Sequence, residues 1–400
     1  MLYNLIYRSR INKDALSEES IDDLVEKSAN ANIEREISGI LLYDDTHFFQ
    51  ILEGPKEKIE DLYKKILQDL RHTEVVLITL EPIPTRLHSE FGMKFFKADE
   101  FGRMVNSNPG FYLDEQLHAA ESTYRSRTKK FITQFTNNKV SNKPSRQEYK
   151  NGRSLSSRIS RSETLKIASA PNKINFAFQP VIDCIQKQTF FVEALVRGPD
   201  GQPADQYLSG MNKNELHDFD LHSTSDAIAL AAQLNIHNLS INFNPRTLFE
   251  STEITNHLEK TLKKYHFVNH QLIIEITEKD IIRNYAGAFD TLAQLRSRGI
   301  RLAIDDFGAG YAGLSLLAEY QPDIIKIDRS IISNIHHSGA KQSIVNSIFT
   351  CCENMAITVC AEGVESEQDF HCLLDIGIKK FQGFLFGMPT INSYSEISFA

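Results

Sequence analysis

The sequence predicts an α/β chain in which a small α/β unit precedes a TIM-like (β/α)₈ barrel. Three observations carry this expectation. In the C-terminal part, short apolar runs each lead into a polar residue followed by turn residues. Stretches of helical spacing separate these runs, as in a parallel sheet whose strands are buried on both faces. A shorter alternation of runs and helices fills the N-terminal part, and a basic, polar stretch divides the two.

In the N-terminal unit, Leu2 to Tyr7, Gly39 to Tyr43 and Phe48 to Leu52 read as strands, with a helix around Ser20 to Asn30. A second helix, Ile59 to Leu70, opens after Gly54-Pro55, and Leu62, Ile66 and Leu70 at four-residue steps mark its buried face. Beyond the unit, Leu113 to Phe135 has helical spacing, with Leu117, Tyr124, Phe131 and Phe135 as apolar contacts. From Arg125 to Lys166 there are twelve basic residues and two acidic ones, Glu148 and Glu163. Asn137 to Ser169 is also rich in Ser and Asn and poor in apolar residues, the composition of a linker. Domain boundaries are therefore expected at 1–95, 96–170 and 171–400.

In the C-terminal part, Thr189 to Val192 leads to Glu193, Leu239 to Ile241 to Asn242, and Leu272 to Ile274 to Glu275. Arg301 to Ile304 leads to Asp305 and Asp306; Ile324-Ile325 to Lys326; Ile357 to Cys360 toward Glu362; and Phe381 to Gln382. Ala286 to Arg298, with Phe289, Leu292 and Leu295, is one of the intervening helices. Chemistry gathered at C-terminal strand ends is where a barrel of this kind builds its active site. Single acids after strands also serve as helix N-caps, so it is the agreement of seven positions that carries weight. Adjacent carboxylates such as Asp305-Asp306, delivered into the glycine-rich Gly308-Ala309-Gly310 turn, repel one another unless protonated, paired or bound to a cation.

Composition narrows the possibilities. The chain has 400 residues, 41% hydrophobic and 24% charged, ordinary material for two globular domains. No apolar stretch reaches the roughly 18 residues of a membrane span, and charges interrupt any signal-like core in Met1 to Arg10. A cytoplasmic protein without a membrane segment is expected. The five cysteines have neither metal-type spacing nor an even disulfide set, and read as reduced thiols. A formal charge of −8 disfavours non-specific nucleic-acid binding by the whole chain.

Taken in order, Phe178-Gln179-Pro180, Glu193-Ala194-Leu195-Val196-Arg197, Asp305-Asp306-Phe307-Gly308, Lys326-Ile327-Asp328, Glu362-Gly363-Val364-Glu365 and Gln382-Gly383 resemble the EAL family of cyclic di-GMP phosphodiesterases. The resemblance implies two divalent metal ions, magnesium or manganese, bound through oxygen ligands. Glu193, Asn242, Glu275 and Asp305 would hold the first; Asp306 and Glu362 would hold the second, with Asp305 shared. Lys326 would orient the attacking water or help deprotonate it, Glu278 would fix the loop after Asp306, and Gln179, Arg197 and Gln382 would meet the cyclic di-GMP substrate. A homodimer is implied as well. Two departures stand out: Gly198 where many members carry Trp, and Asn242-Phe243-Asn244-Pro245 where Asn-Leu-Ser-Pro is usual.

Tyr7-Arg8-Ser9, Asn32, Ser38-Gly39, Phe48-Phe49-Gln50, Leu52-Glu53-Gly54, Arg71-His72 and Met93 resemble the BLUF family of blue-light receptors. That resemblance implies a ferredoxin-like α+β fold and a noncovalently bound flavin, FAD. Tyr7 would donate an electron and proton to the excited ring, and Gln50 would change its hydrogen bonds. Asn32 would bind the ring edge, Met93 would pass the change to the sheet, and Arg71 and His72 would meet the outer part of the cofactor. Phe91 stands where members often have Trp, and the chain has no Trp. Together the resemblances imply a light-regulated phosphodiesterase. The alternative is a non-catalytic EAL module that binds cyclic di-GMP or a regulatory protein partner.

Overall fold

The structure is a computed structural model. It describes residues 1–12, 15, 21–44, 46–83, 85–86, 91–98, 100–101, 104, 128, 131–132, 159–162, 164–166, 174–250, 254–281, 288–310 and 314–399. The chain divides into two compact units, residues 1–141 and 142–400. Most of the helical spacing expected over Leu113 to Phe135, and most of the basic linker, lie outside the described residues. Among the described residues no helix is long and apolar enough to cross a membrane.

The first unit is built from β1 (Leu2–Ile11), α1 (Ile21–Glu34), β2 (Ser38–Tyr43), β3 (His47–Pro55), α2 (Lys56–Gln68), β4 (His72–Ile83) and β5 (Lys94–Lys97). Its sheet has the order β4-β1-β3-β2-β5, in which β5 alone pairs in parallel, with β2. The first six elements make the βαββαβ ferredoxin-like arrangement. Register places Leu41, Gln50 and Tyr7 side by side across β2, β3 and β1. Side chains in one such row share a face. On that face Leu24 of α1 clusters with Leu41, Tyr43 and Phe48, whereas Ile59 of α2 clusters with Leu5, Tyr7 and Leu52. The row therefore runs between the ground covered by the two helices.

One sequence expectation fails here. Leu70 does not extend the buried stripe of α2; the helix stops at Gln68 and Leu70 is 80% exposed. The chain turns at Asp69, whose carboxylate accepts from the Arg71 backbone amide (3.0 Å) and guanidinium, so the fourth apolar step falls in a turn. β4, absent from the sequence expectation, is one of the two edge strands, and its mixed exposure gives no clean alternation.

The second unit opens with β6 (Ile159–Arg161) and β7 (Leu165–Lys166), followed by β8 (Asn175–Asp183), β9 (Gln188–Arg197), β10 (Leu239–Asn242), β11 (Leu272–Thr277), β12 (Arg301–Phe307), β13 (Ile324–Ile327), β14 (Thr358–Ala361) and β15 (Lys380–Phe381). Strands β9 to β15 pair in parallel in sequence order. β8 runs antiparallel to both β9 and β15 and closes an eight-stranded barrel. The first strand thus joins the second as a hairpin, a departure from a uniform (β/α)₈ order. Sequence runs also underestimate the strands: β9 continues four residues past Glu193, because staggered barrel strands place one level of the interior at different points along each strand.

Inside the barrel, Val181, Phe191, Ile273, Ala303, Ile324 and Cys360 form one apolar cluster. Each lies two residues along its strand from Gln179, Glu193, Glu275, Asp305, Lys326 or Glu362 respectively. Because strand side chains alternate with period two, the polar residues form the next layer above an apolar floor. The outer faces of the strands pack against the helices in the main core.

Gly383 secures the rim above this layer. Its φ is +154° and a Cβ there would stand 2.1 Å from the Val364 carbonyl oxygen and 2.3 Å from its nitrogen, both backbone atoms that cannot swing aside. Gly383→Ala is expected to lower the stability of this unit by roughly 2 kcal/mol or more, measured as the shift of the urea midpoint. An unchanged midpoint would contradict the close approach.

Candidate functional site

Successive residues of a regular strand face opposite ways, so Asp305 and Asp306 cannot both line the barrel unless the strand is interrupted. It is. The ladder between β12 and β13 pairs Ile304 with Ile325 and Phe307 with Ile327, leaving two residues opposite Lys326. Asp306 takes up the extra residue with φ +54°, in the left-handed region, and its backbone N–H donates to Asp305 Oδ1 (2.9 Å). Both carboxylates consequently stand at the same end of the barrel, followed by Gly308 at φ +93°.

Lys326 is fully buried and stands at the centre of the acids. Its Nζ lies 3.0 Å from Glu193 Oε2, 3.0 Å from Glu275 Oε2, 3.3 Å from Asp305 Oδ1 and 3.3 Å from Glu362 Oε1. Asn242 Nδ2 donates to Glu193 Oε1 (2.8 Å), and Gln382 Nε2 donates to Glu193 Oε2 (2.7 Å) and Gln179 Oε1 (3.2 Å). Gln179 Nε2 in turn donates to the Gly387 carbonyl (3.1 Å). Glu278, 1% exposed, accepts from the amides of Gly308 (2.7 Å) and Gly310 (3.2 Å), which ties the glycine turn to the start of the short helix Glu278–Ile281 that follows β11. Gly313 of that loop lies outside the described residues.

Lys326 faces four carboxylates, with Asp306 a fifth beside them that also feels Lys279, so the acid charges are not all balanced. Burial opposes the charge of Glu193, yet Lys326, Gln382 and Asn242 hold its carboxyl below the usual range. Burial, with the neighbouring Glu193 and Asp305 charges, pushes Glu275 up to about 8. Burial likewise raises Glu362 strongly, and Asp306 too, with Asp305 adding to both. Burial disfavours the Lys326 ammonium, but the four surrounding acids outweigh it and hold the group charged. Glu275 and Glu362 thus resist ionising beside their neighbours, a resistance that a further cation would relieve. Glu275 Oε1 and Glu362 Oε2 are buried without a hydrogen-bond partner. The ligand atoms of Glu193, Glu275 and Asp305 close to within 4.8 Å of one another, as do those of Asp305, Asp306 and Glu362. An all-oxygen set with unpartnered carboxylate oxygens fits hard divalent ions.

The structure thus gathers Gln179, Glu193, Asn242, Glu275, Asp305, Asp306, Lys326, Glu362 and Gln382 at one barrel end. Arg197 stands four residues beyond Glu193 on the same strand, and its guanidinium donates to the Val196 carbonyl (2.8 Å).

In the first unit, Tyr7 is fully buried and its hydroxyl donates to Gln50 Oε1 (2.5 Å), while Gln50 Nε2 donates to Met93 Sδ (2.8 Å). A single amide therefore joins a phenol to a thioether. Burial, with the charges of Asp69 and Tyr63 adding, raises the Tyr7 phenol far above its ordinary value and keeps it protonated. Asn32 is buried on α1. His72 Nδ1 meets Ser9 Oγ (2.8 Å) and its ring lies edge-on to Tyr7, whereas the Arg71 guanidinium is engaged by Asp69. Sequence reasoning missed Arg86. Its guanidinium donates to Ser38 Oγ (3.1 Å) and to the Glu36 (2.7 Å) and Glu53 carbonyls, and lies over the Phe91 ring at 5.0 Å. No periodicity marks this segment, so no sequence signal pointed to it.

Comparison with known proteins supports both halves. Residues 162–389 match the family described as "EAL domain" and residues 2–94 the family described as "Sensors of blue-light using FAD". The blue light- and temperature-regulated antirepressor BluF of Escherichia coli is 31% identical over 100% of this chain and 99% of its own length. The cyclic di-GMP phosphodiesterase PdeF of the same organism is 33% identical, over 45% of this chain and 26% of its own. Klebsiella pneumoniae BlrP1, solved in a manganese and cyclic di-GMP complex at pH 6, is 32% identical, with a TM-score of 0.57 over 100% of this chain and 99% of that one. Flavin is the chromophore class of the family matched by residues 2–94, and divalent metals serve the family matched by residues 162–389. The chain belongs to the BLUF–EAL family, a blue-light sensor domain followed by an EAL domain.

Proposed function

We propose that this protein is a blue-light-regulated cyclic di-GMP phosphodiesterase that hydrolyses its substrate to linear pGpG. The observation that carries the reading is the two overlapping groups of oxygen ligands that share Asp305. Two bound cations, magnesium or manganese, would supply Lewis acidity and lower the pKa of a water. Glu193, Asn242, Glu275 and Asp305 would hold one, and Asp305, Asp306 and Glu362 the other. Lys326, kept as an ammonium by its neighbours, is suited to orienting a water by donation rather than to accepting its proton. Gln179, Arg197 and Gln382 would position the substrate, and Glu278 would keep the Gly308–Gly310 turn in place.

FAD would sit over the Leu41–Gln50–Tyr7 row, with Tyr7, Asn32, Gln50, Arg71, His72 and Met93 around it. The phenol is an oxidisable donor next to an amide that can present either face, which makes a two-state hydrogen-bond switch. A sensor over 1–95, a linker over 96–170, a catalytic domain over 171–400, a homodimer and a cytoplasmic location are parts of the same proposal, supported by the family resemblance and the nucleotide substrate. A second reading is supported by the antirepressor name of the E. coli relative, which matches along the full chain. In it, the EAL domain docks a regulatory protein under light control.

Turnover of cyclic di-GMP with manganese, in darkness and under blue light, separates these readings. The proposal expects turnover that changes with light, and at least a roughly 100-fold loss in Asp305→Asn with flavin content unchanged. Absence of turnover in both conditions would leave a non-catalytic module that binds cyclic di-GMP or docks a regulatory protein.

Protonation gives a second test. Glu275 is raised from 4.5 to about 8, so the folded chain keeps a proton that the unfolded chain releases. Metal-free stability should fall as pH rises through that window, and saturating manganese should flatten the fall by taking the proton's place. Lys326→Met, which removes the compensating cation, should steepen it. Urea midpoints that are flat from pH 5 to 8 without metal would contradict the charge balance described for this site.

A further inference from the structure

We propose that Arg86 is a positioning residue for the light switch, a latch that holds the Phe91–Met93 segment against the β2–β3 pair and thereby sets the lifetime of the light-adapted state. The inference rests on the flavin-sensor reading above and concerns Arg86, which lies outside the family motif.

Arg86 closes the open end of two paired strands. Ser38 and Glu53 are register partners on β2 and β3, both fully buried, and one guanidinium nitrogen donates to the hydroxyl of the first and the carbonyl of the second. The other nitrogen donates to the Glu36 carbonyl (2.7 Å). Glu36 holds a left-handed backbone conformation at φ +56°, and its side chain is paired with Lys58. The planar face of Arg86 is left for Phe91, whose ring is 48% exposed and is pinned from this side at 5.0 Å. The next residue, Gly92, donates its N–H to the Ile37 carbonyl (2.9 Å) with φ +109°, and Met93 follows with its sulfur on the Gln50 amide. Arg86 therefore fastens the segment that presents Met93 to the same few residues, 36 to 38, that receive the Gly92 amide. An indole at position 91 could add a hydrogen bond of its own; a phenyl ring cannot, and here the hold on the segment comes through its face.

The direction of the effect follows from donors and acceptors. In this structure Gln50 presents its amide N–H to the Met93 sulfur, an attractive contact. A light-driven exchange of the amide's two ends would turn Oε1 toward the sulfur, two acceptors face to face, and the segment carrying Met93 would have to yield. The Arg86 latch opposes that yielding. It raises the energy of the light-adapted state and speeds return in darkness.

The test is dark recovery of the flavin absorption shift after a blue pulse, in the full flavin-loaded chain. Arg86→Ala and Phe91→Leu should each slow recovery by about threefold or more, from loss of charge-assisted hydrogen bonds or of the cation–ring contact. Flavin content and the size of the shift should be retained. Arg86→Lys, which keeps the charge but not the fork, should fall between Arg86→Ala and the parent. Exchange of the Gly92 amide should quicken in Arg86→Ala. If Arg86→Ala does not load flavin, Phe91→Leu and Arg86→Lys carry the comparison. Recovery within twofold of the parent, or faster, in Phe91→Leu and the loaded Arg86 variants overturns the latch while the sensor reading stands. A parent protein with no reversible shift overturns both.

Discussion

The rest of the barrel depends on one buried ammonium. Lys326 is fully enclosed, with four carboxylate oxygens 3.0 to 3.3 Å from it. Isolated, such a charge would be intolerable in an apolar interior, and so would any of the acids. Together they are tolerable but unbalanced, since Lys326 alone meets four acids, with Asp306 beside them. Burial and the neighbouring acids raise both Glu275 and Glu362 and so oppose their charging. A site so arranged has an electrostatic reason to exchange protons for divalent ions, and the unpartnered oxygens of those same two residues are where such ions would find ligands.

The backbone serves this balance in two ways. The apolar layer from Val181 to Cys360 closes the barrel beneath the acids and keeps water from screening them from below. The bulge at Asp305-Asp306 turns two neighbours toward the same end, at the cost of a left-handed aspartate. Glu278 then holds Gly308 and Gly310 immediately after the bulge, so the position of that turn and the geometry of the shared aspartate are mechanically linked.

Much of this was legible in the sequence because period-two alternation and strand-end chemistry are local signals. The seven polar positions from Glu193 to Gln382 all arrive at one barrel end, and Tyr7, Gln50 and Met93 form one hydrogen-bonded chain. What escaped is non-local or conformational. A hairpin between β8 and β9 cannot be told from a parallel pair by composition. Leu70 obeys the helical step of α2 but falls past its end, where Asp69 and Arg71 make a turn. The protonated state of Lys326 depends on four acids brought from four other strands. Arg86 acts through backbone carbonyls, which no side-chain pattern encodes.

Two groups of carboxylates around Lys326 share Asp305, and we propose that each would hold one cation. Electron paramagnetic resonance of manganese added to the metal-free protein addresses it most directly. Two manganese ions per chain with exchange coupling between them are expected, and a single uncoupled ion in Asp305→Asn. One isolated ion in the parent, or coupling that survives Asp305→Asn, would contradict it.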